Sequence, residues 1–129
     1  CENAQKVAEW LSGQSGVSQV IYPSLMDAPM KARAEAVLNG GYGALLGFEL
    51  AGGAEAGQRF IDALQMLYHV ANIGDARSLA IHPASTTHSQ LSGEDQLASG
   101  VTPGYVRLSI GIEHIDDILA DLGHALKAV

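Results

Sequence analysis

Between Gly104 and Ile110 the chain alternates strictly, sending Val106, Leu108 and Ile110 to one side and Tyr105, Arg107 and Ser109 to the other. A period of two is the mark of a strand with one face in a core and the other face turned elsewhere. A helix follows from roughly His114 to Lys127. Its apolar stripe is Ile115, Ile118, Leu119, Leu122 and Leu126, and Asp116 and Asp117 sit in the first turn, where the helix dipole favours acids.

The rest of the chain repeats this theme in shorter pieces. Ala4, Val7, Ala8 and Leu11 have helical spacing within Asn3 to Leu11, and Ser12 to Gly16 stops that helix. Val17 to Tyr22 reads as a strand ended by Pro23, and a helix runs from about Pro29 to Leu38. Gly43 to Leu50 reads as a central strand, with Ala44, Leu46, Phe48 and Leu50 on one face and Leu45, Gly47 and Glu49 on the other. Glu55 to Leu67 carries Phe60, Ile61, Leu64 and Leu67 on a helix stripe. Asn72 to Asp75 is a turn, and Leu79 to Ile81 a short strand ended by His82-Pro83. The polar stretch Ala84 to Pro103 holds at most one helical turn, near Gly93 to Ala98.

This order predicts an α+β fold, a small and mainly antiparallel sheet with helices packed on one face. At 129 residues there is room for one hydrophobic core, so residues 1–129 are read as one domain. The sheet face bearing Tyr105, Arg107 and Ser109 is then left for something else to cover, such as a second domain, and a surface of that kind should be sticky.

Charge narrows the partners. Seven Lys and Arg against 14 Asp and Glu give a formal charge of −7, and no basic cluster is interleaved with aromatics, so neither nucleic acid nor an anionic membrane is expected as a partner. One cysteine, Cys1, allows no internal disulfide and suits the cytoplasm. The chain opens at Cys1-Glu2-Asn3-Ala4, already within a helix, and reads as a piece of something longer.

Most motif candidates have plain structural readings. Gly40-Gly41-Tyr42-Gly43 precedes a strand, whereas phosphate-cradling turns follow one, so it is read as a helix stop. His82 and His88 lack a third ligand for a metal and are expected to hydrogen-bond the backbone of their own loop. Asp116, Asp117 and Asp121 read as a solvated helix face. There is no nucleophile elbow, and Cys1 has no base near it in sequence. Arg107 stands apart, because a lone arginine in a strand of Val, Leu, Ser and Ile needs an anionic partner. Two partners stay open: a structural salt bridge to Glu49 or Glu113, or the carboxylate of a substrate.

Two long blocks carry a resemblance. Asn72-Ile73-Gly74-Asp75-Ala76-Arg77-Ser78-Leu79-Ala80-Ile81-His82-Pro83-Ala84-Ser85-Thr86-Thr87-His88 and Val106-Arg107-Leu108-Ser109-Ile110-Gly111-Ile112-Glu113 resemble the C-terminal part of the pyridoxal-phosphate (PLP) enzymes of Cys/Met metabolism. Segments around Trp10-Leu11, Val20-Ile21-Tyr22-Pro23 and Gly43 to Glu49 are similar too, so the resemblance covers essentially the whole chain.

That resemblance implies a fold-type I enzyme in which a large domain holds PLP on a lysine and a small C-terminal domain completes the substrate site. It assigns Arg107 to the substrate α-carboxylate, with Asn72 and Ile73 beside it. Asn72 and the run Thr86-Thr87-His88-Ser89-Gln90 look like the sulfhydrylase branch, which implies O-acetylhomoserine and sulfide or a thiol as partners in methionine biosynthesis, and a homotetramer or other homo-oligomer. Other branches, acting on O-succinylhomoserine, cystathionine precursors or methionine, are alternatives, as is a free-standing small-molecule-binding module. The family's cofactor lysine, ring-stacking aromatic and pyridinium acid match nothing in this chain; Lys6, Lys31 and Lys127 sit in unrelated contexts. The segment by itself is therefore expected to be inactive.

Overall fold

A computed structural model describes residues 1–129. In chain order the elements are α1 (Glu2–Ser12), β1 (Val17–Ile21), α2 (Ala28–Val37), β2 (Leu45–Leu50), α3 (Gly53–Ala63), β3 (Tyr68–His69), β4 (Leu79–Ile81), α4 (Gly93–Ala98), β5 (Tyr105–Ser109) and α5 (Ile115–Leu126). The five strands form one sheet in the order β1-β2-β5-β4-β3. All pairs are antiparallel except β3 with β4. The α+β expectation is met.

The core lies between one sheet face and the helices α1, α3 and α5. Leu46, Phe48 and Leu50 of β2 and Val106 and Leu108 of β5 point into it, as their alternation requires, and meet Val7 and Leu11 of α1, Phe60 of α3 and Ile118 and Leu122 of α5. Phe48 and Phe60 pack edge to face with ring centroids 5.3 Å apart, an arrangement that the ring quadrupoles favour. The Asn3 side-chain amide donates to the Gly111 and Glu113 carbonyls at 3.2 and 2.9 Å, tying the start of α1 to the turn after β5.

α2 is different. Asp27 caps it by accepting from the Met30 amide at 3.1 Å, and Pro29 sits in its first turn, where a missing N–H costs nothing. Yet none of its residues is buried. It stands on the other side of the sheet, over the face that the core helices leave uncovered.

Two expectations need correction. The helix read as Glu55 to Leu67 stops at Ala63, because Leu64 is extended at ψ 138°. The reason lies in α5. Asp121 is only 7 % exposed and accepts the amides of Gln65, Met66 and Leu67 at 2.8, 2.9 and 2.9 Å, so its carboxylate takes the place of continued helix. Asp121 is thus no part of a solvated face, unlike the exposed Asp116 and Asp117. β3 has no counterpart in the sequence reading, being a two-residue parallel edge strand too short to leave a periodic signal.

Candidate functional site

The sheet face away from the core is organised by one cross-strand row. Gly47 pairs with Ile21 on one side and Arg107 on the other, and Arg107 pairs in turn with Ile81. Arg107 therefore rises from the middle of the sheet, flanked by a residue without a side chain and by two isoleucines.

Its guanidinium is oriented by the turn that precedes β4. Nη2 donates to the Ala71 carbonyl at 3.1 Å and to the Asn72 carbonyl at 3.3 Å. The arginine Nε is buried and has no hydrogen-bond partner. Neutral carbonyls fix the fork but leave its charge unbalanced, so the group retains donors and a full positive charge for an anion. The three residues expected at a carboxylate site are thus adjacent, in an unanticipated way. Asn72 meets Arg107 through its backbone oxygen, while Ile73 is 61 % exposed on the same turn.

The salt-bridge alternative does not hold. Glu49 accepts from the Gly104 amide at 3.1 Å and from the Thr102 hydroxyl. Glu113 accepts from the Ser78 amide at 2.6 Å and its hydroxyl at 2.8 Å. Both acids are engaged with neutral donors of the scaffold. Arg77, by contrast, is paired with Asp75 at 3.2 Å and lies 4.5 Å from the Tyr68 ring centre.

Arg107 looks onto two spaces. One is a groove of about 510 Å³ beneath α2, walled by Met30, Ala34 and Val37 and floored by Gly47 and Tyr105. The other is a cavity of about 490 Å³ edged by Ala71, Thr87, His88 and Ser99. The first is mostly apolar; the second mixes polar and apolar groups. Tyr105 stands at the boundary, and burial, against the pull of the Arg107 charge, raises its phenol pKa above the usual value. Sequence reasoning grouped Tyr105 and Ser109 with Arg107 on one face. Ser109 is in fact buried, while Tyr105 joins the site, and the available hint for it was a glycine inside the neighbouring strand.

The long loop is held by His82, which is fully buried. Its Nδ1 meets the Ser85 hydroxyl at 2.8 Å and its Nε2 meets the Pro103 carbonyl at 2.7 Å. The expected backbone contact is present, with a side-chain hydroxyl as second partner. His88 makes its contact with the Thr87 hydroxyl at 2.9 Å, not with backbone. No cluster of three His, Cys, Asp or Glu residues converges anywhere in the chain.

Comparison with known proteins places this geometry in context. The family described as Cys/Met metabolism PLP-dependent enzyme matches residues 1–127. The O-acetyl-L-homoserine sulfhydrylase of Leptospira meyeri is 53% identical over 128 residues, covering 98% of this chain and 29% of that protein. The L-methionine gamma-lyase of Pseudomonas putida is 46% identical over 128 residues, covering 99% of this chain and 32% of its own length. Among solved structures, a putative O-acetylhomoserine (thiol)-lyase of Campylobacter jejuni, with a pyridoxyl-lysine phosphate, superposes at a TM-score of 0.88. It is 40% identical, with 98% of this chain and 30% of that one covered. The chain thus spans about a third of the length of the relatives it matches.

Lys6, Lys31 and Lys127 are all solvent-exposed on or at the end of helices, and none lines the groove or the cavity. The residues present therefore do not form a covalent seat for PLP.

Proposed function

The chain belongs to the PLP-dependent enzymes of Cys/Met metabolism, and from that premise we propose that it is the C-terminal small domain of an O-acetylhomoserine sulfhydrylase. In this reading a large domain supplies PLP and its lysine, and residues 1–129 supply the seat for the amino-acid substrate. The parent enzyme replaces the acetate of O-acetylhomoserine with sulfide or a thiol, is cytoplasmic and works as a homo-oligomer, a homotetramer. The segment has no activity by itself.

One observation carries the reading: Arg107, fixed by the carbonyls of Ala71 and Asn72, keeps its buried Nε and its charge uncommitted. A guanidinium fork so placed binds a carboxylate in a way that an ammonium cannot reproduce. Asn72 and Ile73 serve by holding the turn whose oxygens aim the arginine. The sulfhydrylase of L. meyeri, at 53% identity, supports replacement as the reaction.

The test is steady-state kinetics of Arg107→Ala and Arg107→Lys in the full-length enzyme with O-acetylhomoserine. Loss of a charge-assisted bidentate contact raises the apparent KM for the amino acid roughly tenfold or more, with the cofactor absorbance retained. An unchanged KM in both variants would remove Arg107 from the substrate site.

A further inference from the structure

Ile21, Tyr105 and Arg107 line both the groove beneath α2 and the cavity beside His88, so these three side chains are the partition between the two spaces. Tyr105 holds its place because of what Gly47 lacks. A Cβ at Gly47 would stand 2.5 Å from Tyr105 Cε2 and 2.7 Å from its Cζ, closer than carbon atoms not bonded to each other approach, so the ring would have to move. Gly47 is an interior strand residue with no side chain to pack, and such a position is favoured where another group must come close. The ring therefore lies over the Gly47 backbone. Because Gly47 is the direct cross-strand partner of Arg107, the hydroxyl end of the ring reaches the row from which the guanidinium rises.

We propose that Tyr105 is a substrate-binding and selectivity residue: lying over Gly47, its hydroxyl gives the anion at Arg107 a second donor, and its ring narrows the opening between that seat and the apolar groove. The proposal rests on the reading of Arg107 as the carboxylate seat. Two consequences follow from the chemistry. A phenol that stays protonated at neutral pH donates to a carboxylate alongside the guanidinium. Ten of the 14 residues of the groove are hydrophobic, so a seat left open to it would accept apolar chains as readily as a short polar one.

The experiment is a set of variants of the holoenzyme, Y105F, Y105A, G47A and G47A/Y105A, assayed with O-acetylhomoserine beside R107A. Y105F removes only the hydroxyl and raises KM roughly three- to tenfold, more than it lowers kcat. G47A drives the ring from its place and raises KM in the same direction. In the Y105A background G47A adds nothing, because the side chain it would displace is gone. A KM unmoved by Y105F overturns the donor role, and additive effects of G47A and Y105A overturn the seating of the ring on Gly47. If R107A itself leaves KM unchanged, the carboxylate reading fails; if R107A acts while Y105F and G47A are silent, only the assignment of Tyr105 fails.

Discussion

Glu113 accepts two hydrogen bonds from Ser78, from its amide at 2.6 Å and its hydroxyl at 2.8 Å, while the same hydroxyl accepts from the Gly111 amide at 2.9 Å. The turn after β5 is thereby bolted to the start of β4. This arrangement engages Glu113, one of the two acids that the sequence offered as a partner for Arg107.

Removing that carboxylate should cost stability. In Glu113→Ala a fully buried hydroxyl and a backbone amide both lose a charged acceptor, a loss of about 2–4 kcal/mol. Urea denaturation reads this as a lower midpoint at constant slope. A midpoint within error of the parent chain would show that the two bonds are not formed in solution.

Asp121 makes a demand of similar size. Its two oxygens take three consecutive amides at the end of α3, so Asp121→Ala leaves three donors without their acceptor at the rim of the core. The expected cost is about 2–4 kcal/mol, several degrees in Tm. Asp121→Asn keeps the shape and one acceptor oxygen and should lose clearly less. Equal losses in the two variants would mean that packing, not acceptance, is the contribution of this side chain.

Gly57 of α3 lies against the His82 ring, and an added Cβ would stand 2.5 Å from Cδ2 and 3.0 Å from Cε1. His82 is pinned on both nitrogens, so it has nowhere to go. Gly57→Ala, a change that normally favours a helix, should here destabilise by roughly 1–3 kcal/mol through overpacking. A stabilised Gly57→Ala chain would contradict the close contact.

Alkaline pH gives an independent handle. Burial, and secondarily the nearby Tyr42 phenol, raises the pKa of Tyr22, whose hydroxyl donates to the Gly43 carbonyl at 2.9 Å. The unfolded chain then loses this proton first, near the ordinary phenol value of about 10. The contribution of Tyr22 to stability is present below that pH and is lost as pH rises through the higher folded value. Tyr22→Phe should flatten the alkaline limb of the stability profile, and an identical limb would assign it to other groups.

Much of this was legible in the sequence, and the exceptions share a cause. The alternation at Val106, Leu108 and Ile110, the stripe of α5 and the Pro29 helix start are local signals, and the fold follows them. Arg107 could be singled out because a charge in an apolar strand is a local anomaly. Its orienting partners could not, since backbone carbonyls carry no residue identity. The same limit hid Asp121, whose value lies 54 to 56 residues away in the chain, in the amides it accepts. Likewise Phe60, Leu64 and Leu67 keep helical spacing across a point where the helix has ended, because Leu67 reaches the core from a loop.

The chain has a continuous core of 19 buried hydrophobic residues shared by α1, α3, α5 and the sheet, enough for cooperative folding of a single domain. Its three lysines are exposed and stand apart from the groove and the cavity. The 129-residue chain, purified by itself, should therefore unfold in one transition by both circular dichroism and tryptophan fluorescence, Trp10 being packed against the core. It should acquire no cofactor absorbance that survives gel filtration after incubation with PLP. The uncovered face would show instead as association, because Ile21, Leu45, Met30 and Val37 are all exposed around the groove. A stoichiometric, borohydride-fixable PLP adduct confined to one of Lys6, Lys31 and Lys127 would mean that this chain itself seats the cofactor, and would overturn the assignment of that role to a large domain.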